Sequence, residues 1–326
     1  METEERDAGT PDATGTSGAS DTSGRGPGSA VAWRSRPLAD RHHLTALAIV
    51  LHGFRQALDP GSWYLKGSVA LAAWIGPAAR LPNDLDLVVP DDAGRRLLAS
   101  GTLPPGPRGE SLRLTRHEPV MFSAGAKPPV YRALVAVEGP ESLPPVLLGL
   151  VLVPEADARG DERTTLLDFP GPTGAVTVPS VTGYRFLTQK LLRYARQRSG
   201  GRVNTHWWDL SDMLLAAAHP AFPALRLGEL RRDLTVEVAG RGMVLPACLP
   251  APPAEWLDFW DTATFTHGLP FGRLPAAAER LARFWEPVLR GPNTGADEGG
   301  GPVDPADAVR APGAMWTPDA WDWVDP

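Results

Sequence analysis

A chain of 326 residues exceeds the common size of one domain, so its length predicts two modest domains. A hydrophobic fraction of 43% with 21% charged residues is that of a globular protein, and a net charge of -6 excludes a global basic field, though not a local basic face for nucleic acid. High Gly and Pro (34 and 35) point to a GC-rich genome rather than an activity, and the single cysteine, Cys248, excludes an internal disulfide, fits a reducing cytoplasm and reads as a small buried apolar residue rather than a nucleophile.

In chain order, residues 1–32 are Gly, Ser, Thr, Asp and Glu with almost no large apolar side chains, which predicts a disordered tail. The tail lacks the basic start and apolar run of a signal peptide, so a cytoplasmic protein is expected. From Leu38 to Leu58 apolar residues recur at helical spacing (Leu44, Leu47, Leu51, Phe54), and Asp59-Pro60-Gly61 ends that helix. Trp63-Tyr64-Leu65 reads as a short strand, Lys66-Gly67-Ser68 as a turn, and Val69 to Trp74 as a helix starting at once. Asp84 to Val89 alternates as a strand, and Asp91 to Leu98 reads as a helix capped by Asp91 or Asp92. Residues 100–128 read as a loop around one weak strand, followed by strands at Val130–Glu138 and Val146–Val153. The latter is the longest apolar stretch and is far too short to span a bilayer, so no membrane partner is expected. The second half predicts helices from Ser180 to Arg198, from Asn204 to His219, and over 224–234, 253–263 and 275–289. The expected divisions are therefore a small α/β domain over 33–172, with a mixed sheet and helices, and a mainly helical domain over 173–292. An acidic Gly/Pro/Trp tail over 293–326 ends in Trp316, Trp321 and Trp323, either docked on the body or offered to a partner.

Two features carry chemistry. Asp84 and Asp86 stand two apart on a strand and share a face, so their carboxylates repel unless a cation such as Mg²⁺ sits between them; the alternative is a solvated pair on an edge strand. Strand-Gly67-Ser68-helix places backbone N–H groups and a small hydroxyl at a helix start, which suits an anion, or is simply a tight turn with a Ser cap. Together they are more telling, because the Asp-x-Asp strand arrives about 17 residues after the turn, enough for the helix to return and lay one strand beside the other.

Leu65-Lys66-Gly67-Ser68-Val69-Ala70-Leu71, then Arg80 and Asn83-Asp84-Leu85-Asp86-Leu87, resembles the nucleotidyltransferase superfamily with its Gly-Ser and Asp-x-Asp signature. More narrowly it resembles the AbiEii/AbiGii toxin group, which includes the MenT toxins, where Lys-Gly-Gly-x-Ala-Leu precedes Asp-Leu-Asp. Gln189-Lys190-Leu191 is similar to that group's Glu-Lys-Leu element, and Trp208-Asp209-Leu210-Ser211-Asp212 to its Arg-Asp-Leu-Tyr-Asp-Leu element. Arg241-Gly242 with Leu245-Pro246 is similar to its Arg-Gly-x-x-Leu-Pro pattern, so the resemblance covers residues 38–290.

The resemblance implies Asp84, Asp86, Lys190 and Asp209 as the catalytic set, Asp84 and Asp86 holding Mg²⁺ (or Mn²⁺), and Lys66, Gly67, Ser68, Lys190 and Arg193 binding a nucleoside triphosphate. It further implies a toxin whose acceptor is the tRNA 3′ end and whose antitoxin is encoded separately. A small-molecule or protein acceptor, or a degenerate relative that only binds nucleotide or a partner, are the alternatives. Lys190 lies among Arg185, Arg193, Arg196 and Arg198, a basic helix that suits a triphosphate or is a solvated face. The sequence departs from the superfamily on the later strand Val146–Val153, which carries no third carboxylate; Glu138, Glu155 and Asp157 are the acids nearest to it. The histidines show no ligand spacing, and His206, one helical turn from Asp209, reads as structural.

Overall fold

The computed structural model describes residues 36–120, 129–158, 164–196, 202–244, 247–290 and 313–325. The expected tail over 1–32, Arg198, Leu245-Pro246 and the first part of the C-terminal tail lie outside the described residues.

Helix α1 (Leu38–Ala57) buries Leu47, Ile49, Val50, Leu51 and Phe54 and crosses the sheet. Strand β1 (Tyr64–Lys66) leads directly into α2 (Ser68–Ile75), and β2 (Asp84–Pro90) returns antiparallel to β1 with Lys66 opposite Asp86. Helix α3 (Asp91–Ser100) follows, then β3 (Thr102–Leu103), β4 (Ser111–Val120), β5 (Val130–Glu138), β6 (Val146–Val153), one turn of helix α4 (Glu155–Ala158), β7 (Thr164–Gly171) and β8 (Gly174–Val181). Among the described residues these form one eight-stranded sheet in the order β3-β4-β5-β6-β2-β1-β8-β7, parallel at β2/β6 and β1/β8 and otherwise antiparallel. The continuously apolar β6 sits inside this sheet, as a strand covered on both faces must.

The helical half comprises α5 (Gly183–Tyr194), α6 (Trp207–Ala218), α7 (Leu227–Arg241), α8 (Leu257–His267) and α9 (Leu274–Leu289). The mixed α/β architecture with a mainly helical second half is the one expected. Among the described residues no helix is long and apolar enough to cross a membrane.

The structure corrects several details. Neither Asp91 nor Asp92 caps α3: Pro90 occupies the cap position, and Asp91 pairs with Arg95 at 2.9 Å. The weak strand in 100–128 is the ten-residue β4, held along its length by β5. The hairpin β7–β8 runs through the expected boundary at 172, and β8 joins β1, so the sheet continues to Val181. Ser180 and Val181 therefore belong to a strand, and α5 starts only after Thr182, whose hydroxyl oxygen accepts the Arg185 N–H at 3.3 Å. Cys248 is exposed rather than buried. The terminal tryptophans dock on the body: β9 (Met315–Thr317) and β10 (Asp322–Val324) form a hairpin whose Trp316 and Trp323 rings pack on Phe284 of α9.

Candidate active site

The turn after β1 starts the site. Gly67 has φ 78° and ψ −156°, a conformation open to glycine alone, and its carbonyl is the N-terminal acceptor of α2. No side chain caps the helix; Ser68 is its first residue and is buried, so the expected Ser cap is absent and the leading N–H groups are left to other partners.

The Asp pair stands on β2, between β1 and β6, not on an edge strand. Leu85, Leu87 and Val89 fill the opposite face completely, which turns Asp84 and Asp86 to the site side. Burial, then the neighbouring Asp86 charge, push the Asp84 carboxyl above the usual carboxylate range, despite Arg80 and Arg132. Asp86 is slotted between two glycines. A Cβ on Gly67 would stand 2.9 Å from its Oδ2, and a Cβ on Gly149 of β6 would stand 2.3 Å from its Oδ1. Two carboxylates on one face, one of them with a raised pKa and the other lodged in a cradle that admits no side chain, fit a divalent cation with open sites for substrate oxygens.

Lys66 lies beside Asp86 in register, and burial lowers its pKa; Asp86 opposes this, while Arg193 and Arg241 reinforce it. From the helical half, α5 and α6 bring a closed ionic network. Lys190 Nζ donates to Asp212 Oδ2 at 2.6 Å and lies 3.0 Å from Asp209 Oδ1. Arg193 Nε donates to Asp209 Oδ2 at 2.6 Å, and Arg80 grips Asp212 through Nε and Nη2 at 2.8 and 2.9 Å. Burial would raise both carboxyls, but the adjoining cations hold Asp209 below the usual range and Asp212 down to about 2. Lys190 is thus buried, not part of a solvated face. Of the other basic residues on that helix, Arg185 is spent on Glu237 at 3.2 Å and on the Tyr64 ring, and Arg196 is exposed past the helix end. The end of α5 is pinned by Asn204, whose amide donates to the carbonyls of Arg193 and Tyr194 at 3.0 and 2.8 Å.

All the residues singled out in the sequence, Lys66, Gly67, Ser68, Asp84, Asp86, Lys190, Arg193 and Asp209, therefore fall in one region. Asp209 is fully buried beneath Lys190 and Arg193, whereas Arg193 keeps 41% of its side chain exposed. That geometry gives Asp209 the work of holding the two cations, and leaves Arg193 able to meet a ligand. Sequence reasoning gave no role to Arg80 or Asp212, although both stand inside the quoted motifs; only the fold shows that they pair across 132 residues.

No described acid supplies a third carboxylate. Beside Asp86 on β6 stands Gly149, and beside Gly149 on β5 stands Arg132, an exposed cation. Glu138 lies at the far end of β5 and binds Arg113, while Glu155 and Asp157 lie beyond Val153, at the Pro90 end of β2. Among the described residues no three His, Cys, Asp or Glu side chains gather as a metal cluster. His206 lies at the start of α6, where its backbone N–H binds Asn204 Oδ1 at 3.0 Å.

A family model described as "Nucleotidyl transferase AbiEii toxin, Type IV TA system" matches residues 49–262. No curated protein matches the chain. Among solved structures, JHP933 from Helicobacter pylori is 15% identical with a TM-score of 0.41, over 78% of this chain and 94% of that one. A second H. pylori protein, with a provisional nucleotidyltransferase description, is 15% identical with a TM-score of 0.40, over 78% of this chain and 96% of that one.

Proposed function

The chain belongs to the AbiEii family of nucleotidyl transferase toxins, and from that membership we propose a Mg²⁺-dependent transfer of a nucleoside monophosphate from a nucleoside triphosphate to an acceptor hydroxyl, the tRNA 3′ end. The observation that supports this reading best is Asp86, set between Gly67 and Gly149 with Asp84 and Lys66 at its sides. Asp84 and Asp86 would hold the cation, which when bound supplies charge neutralisation for the phosphates.

The chain's own groups do the rest. The N–H groups at Gly67 and Ser68 receive phosphate oxygens at the start of α2. Lys66, Lys190 and Arg193 neutralise the triphosphate and keep it in line for attack, the part of phosphoryl-type transfer that a protein mainly supplies. The acceptor oxygen forms a bond to the α-phosphorus while the bond to the bridging oxygen breaks. Pyrophosphate leaves with that electron pair, and the acceptor proton passes to water. Asp209 acts as a positioning residue through Lys190 and Arg193. A separately encoded antitoxin is the regulatory partner, and the cytoplasm is the compartment where nucleoside triphosphate and tRNA meet.

The test is label transfer from α-³²P-nucleoside triphosphate, with total RNA, cell protein and small molecules offered as acceptors in separate reactions. Asp86→Ala is expected to abolish Mg²⁺-dependent labelling of RNA with the fold retained. Undiminished labelling overturns the mechanism, and labelling confined to protein or small molecules overturns the acceptor.

A further inference from the structure

Next to the ionic network, the first turn of α6 carries an aromatic group with no part in the transfer just described. The rings of Trp207 and Trp208 stack at 3.7 Å with 28° between planes, and Phe259 of α8 lies 6.5 Å from Trp207 and nearly parallel to it, at 13°. Phe259 is 56% exposed, and both tryptophans are half-buried.

The stack is continuous with the site. Arg80, clamped on Asp212, lies 4.8 Å over the Trp208 ring, and its charge acts on Asp84. Trp208 directly precedes Asp209, which holds Lys190 and Arg193.

Trp256, Trp260, Trp316, Trp321 and Trp323 each donate the indole N–H to a backbone carbonyl. Trp207 and Trp208 donate to none among the described residues; Trp63 and Trp285 share that lack but are buried, whereas Trp207 and Trp208 are partly exposed, so their polar edges stay available. A nearly parallel, partly exposed ring stack with free N–H donors, beside a cluster of cations, suits a flat base joined to a chain of phosphates.

We propose that Trp207 and Phe259 form the stacking subsite for the base of the nucleoside triphosphate, backed by Trp208, whose ring is already covered by Trp207 and Arg80. The inference rests on the proposed use of that substrate. Ring-face stacking tolerates every base, so the subsite contributes affinity rather than choice among the four.

The experiment is direct binding to the full chain with Mg²⁺, comparing ATP, GTP, CTP and UTP with inorganic tripolyphosphate, which has no base. Trp207→Ala and Phe259→Ala are expected to raise the nucleotide Kd roughly 5- to 100-fold, while tripolyphosphate Kd stays the same and Trp207→Phe restores nucleotide affinity. Because Phe259 is exposed, its truncation leaves the fold intact. Nucleotide affinity equal in all variants overturns the inference, as does an unchanged nucleotide Kd with a raised KM for the acceptor. Equal weakening of tripolyphosphate overturns it too, by showing a merely structural effect. If the unaltered chain binds neither probe, it is the underlying nucleotide reading that falls.

Discussion

Gly149 does at the residue scale what a composition count would never suggest. It leaves room for the Asp86 carboxylate, where a Cβ would come within 2.3 Å of Oδ1. Gly149→Ala keeps the strand but forces Asp86 aside, and a displacement of this order at a reacting centre costs on the order of 100-fold in rate. Label transfer measured beside a circular-dichroism melt checks this, with lost activity and a retained fold expected. Asp212 gives a pH prediction. Its carboxyl is buried, which by itself would raise its pKa, but Arg80 and Lys190 hold it down to about 2, from an ordinary 3.8. A depressed carboxyl stabilises the fold above its unfolded pKa and loses that contribution as pH falls through the folded value. At about 1.4 kcal/mol per pKa unit, the pair contributes about 2 kcal/mol at neutral pH. Denaturant midpoints of Asp212→Asn and the unaltered chain should therefore differ most above pH 4 and converge as pH falls toward 2. A gap that widens in acid would show that the network does not depend on that charge.

Among the elements, those that were legible in the sequence had local causes. The Asp84–Pro90 strand follows from alternation, the Tyr64–Lys66 turn into α2 from a glycine that alone accepts its backbone angles, and α1 from a long apolar period. The β7–β8 hairpin was not legible. Pro170 and Pro172 mark a loop by local rules, and only pairing to β8, itself held on β1, makes Thr164–Gly171 an edge strand with Leu166 left 73% exposed. The site followed the same division. Asp84, Asp86 and Lys190 stood out as local motifs, whereas the Arg80 clamp on Asp212 depends on a contact between distant segments. The closing hairpin is the clearest case of an element made by its destination. Three tryptophans near a chain end fit equally a docked or a partner-binding segment, until β9 pairs beside Leu225–Leu227 and Trp323 is fully buried on Phe284. Trp323→Ala is expected to cost about 3–5 kcal/mol, read as a lowered denaturant midpoint. A loss below 1 kcal/mol would mean that the hairpin rests on the body without supporting it.

For the whole molecule, length argues for two units and packing argues for one. Chains beyond about 250–300 residues usually divide their cores. Here, among the described residues, one continuous apolar cluster runs from α1 and the sheet through α5, α6 and α7 to the closing hairpin. Among the links from sheet to helices, two stand out. Trp74 of α2 meets Phe186 of α5 edge-on at 5.6 Å and Phe222 at 5.1 Å, and Arg80 binds Asp212 of α6. The proposed function requires that joint, because Asp84, Asp86 and Lys66 stand on the sheet whereas Lys190 and Arg193 stand on α5. If the helices unfolded first, Lys66 and the Asp pair would face water without their partners, and the buried Asp212 would strand Arg80. Loss of one half thus destabilises the other, which is the condition for a cooperative transition. Calorimetry should show a single unfolding peak whose calorimetric and van't Hoff enthalpies agree. Two resolved peaks, one of them insensitive to Arg80→Ala, would show instead that the halves fold apart and that the site is assembled only after both have formed.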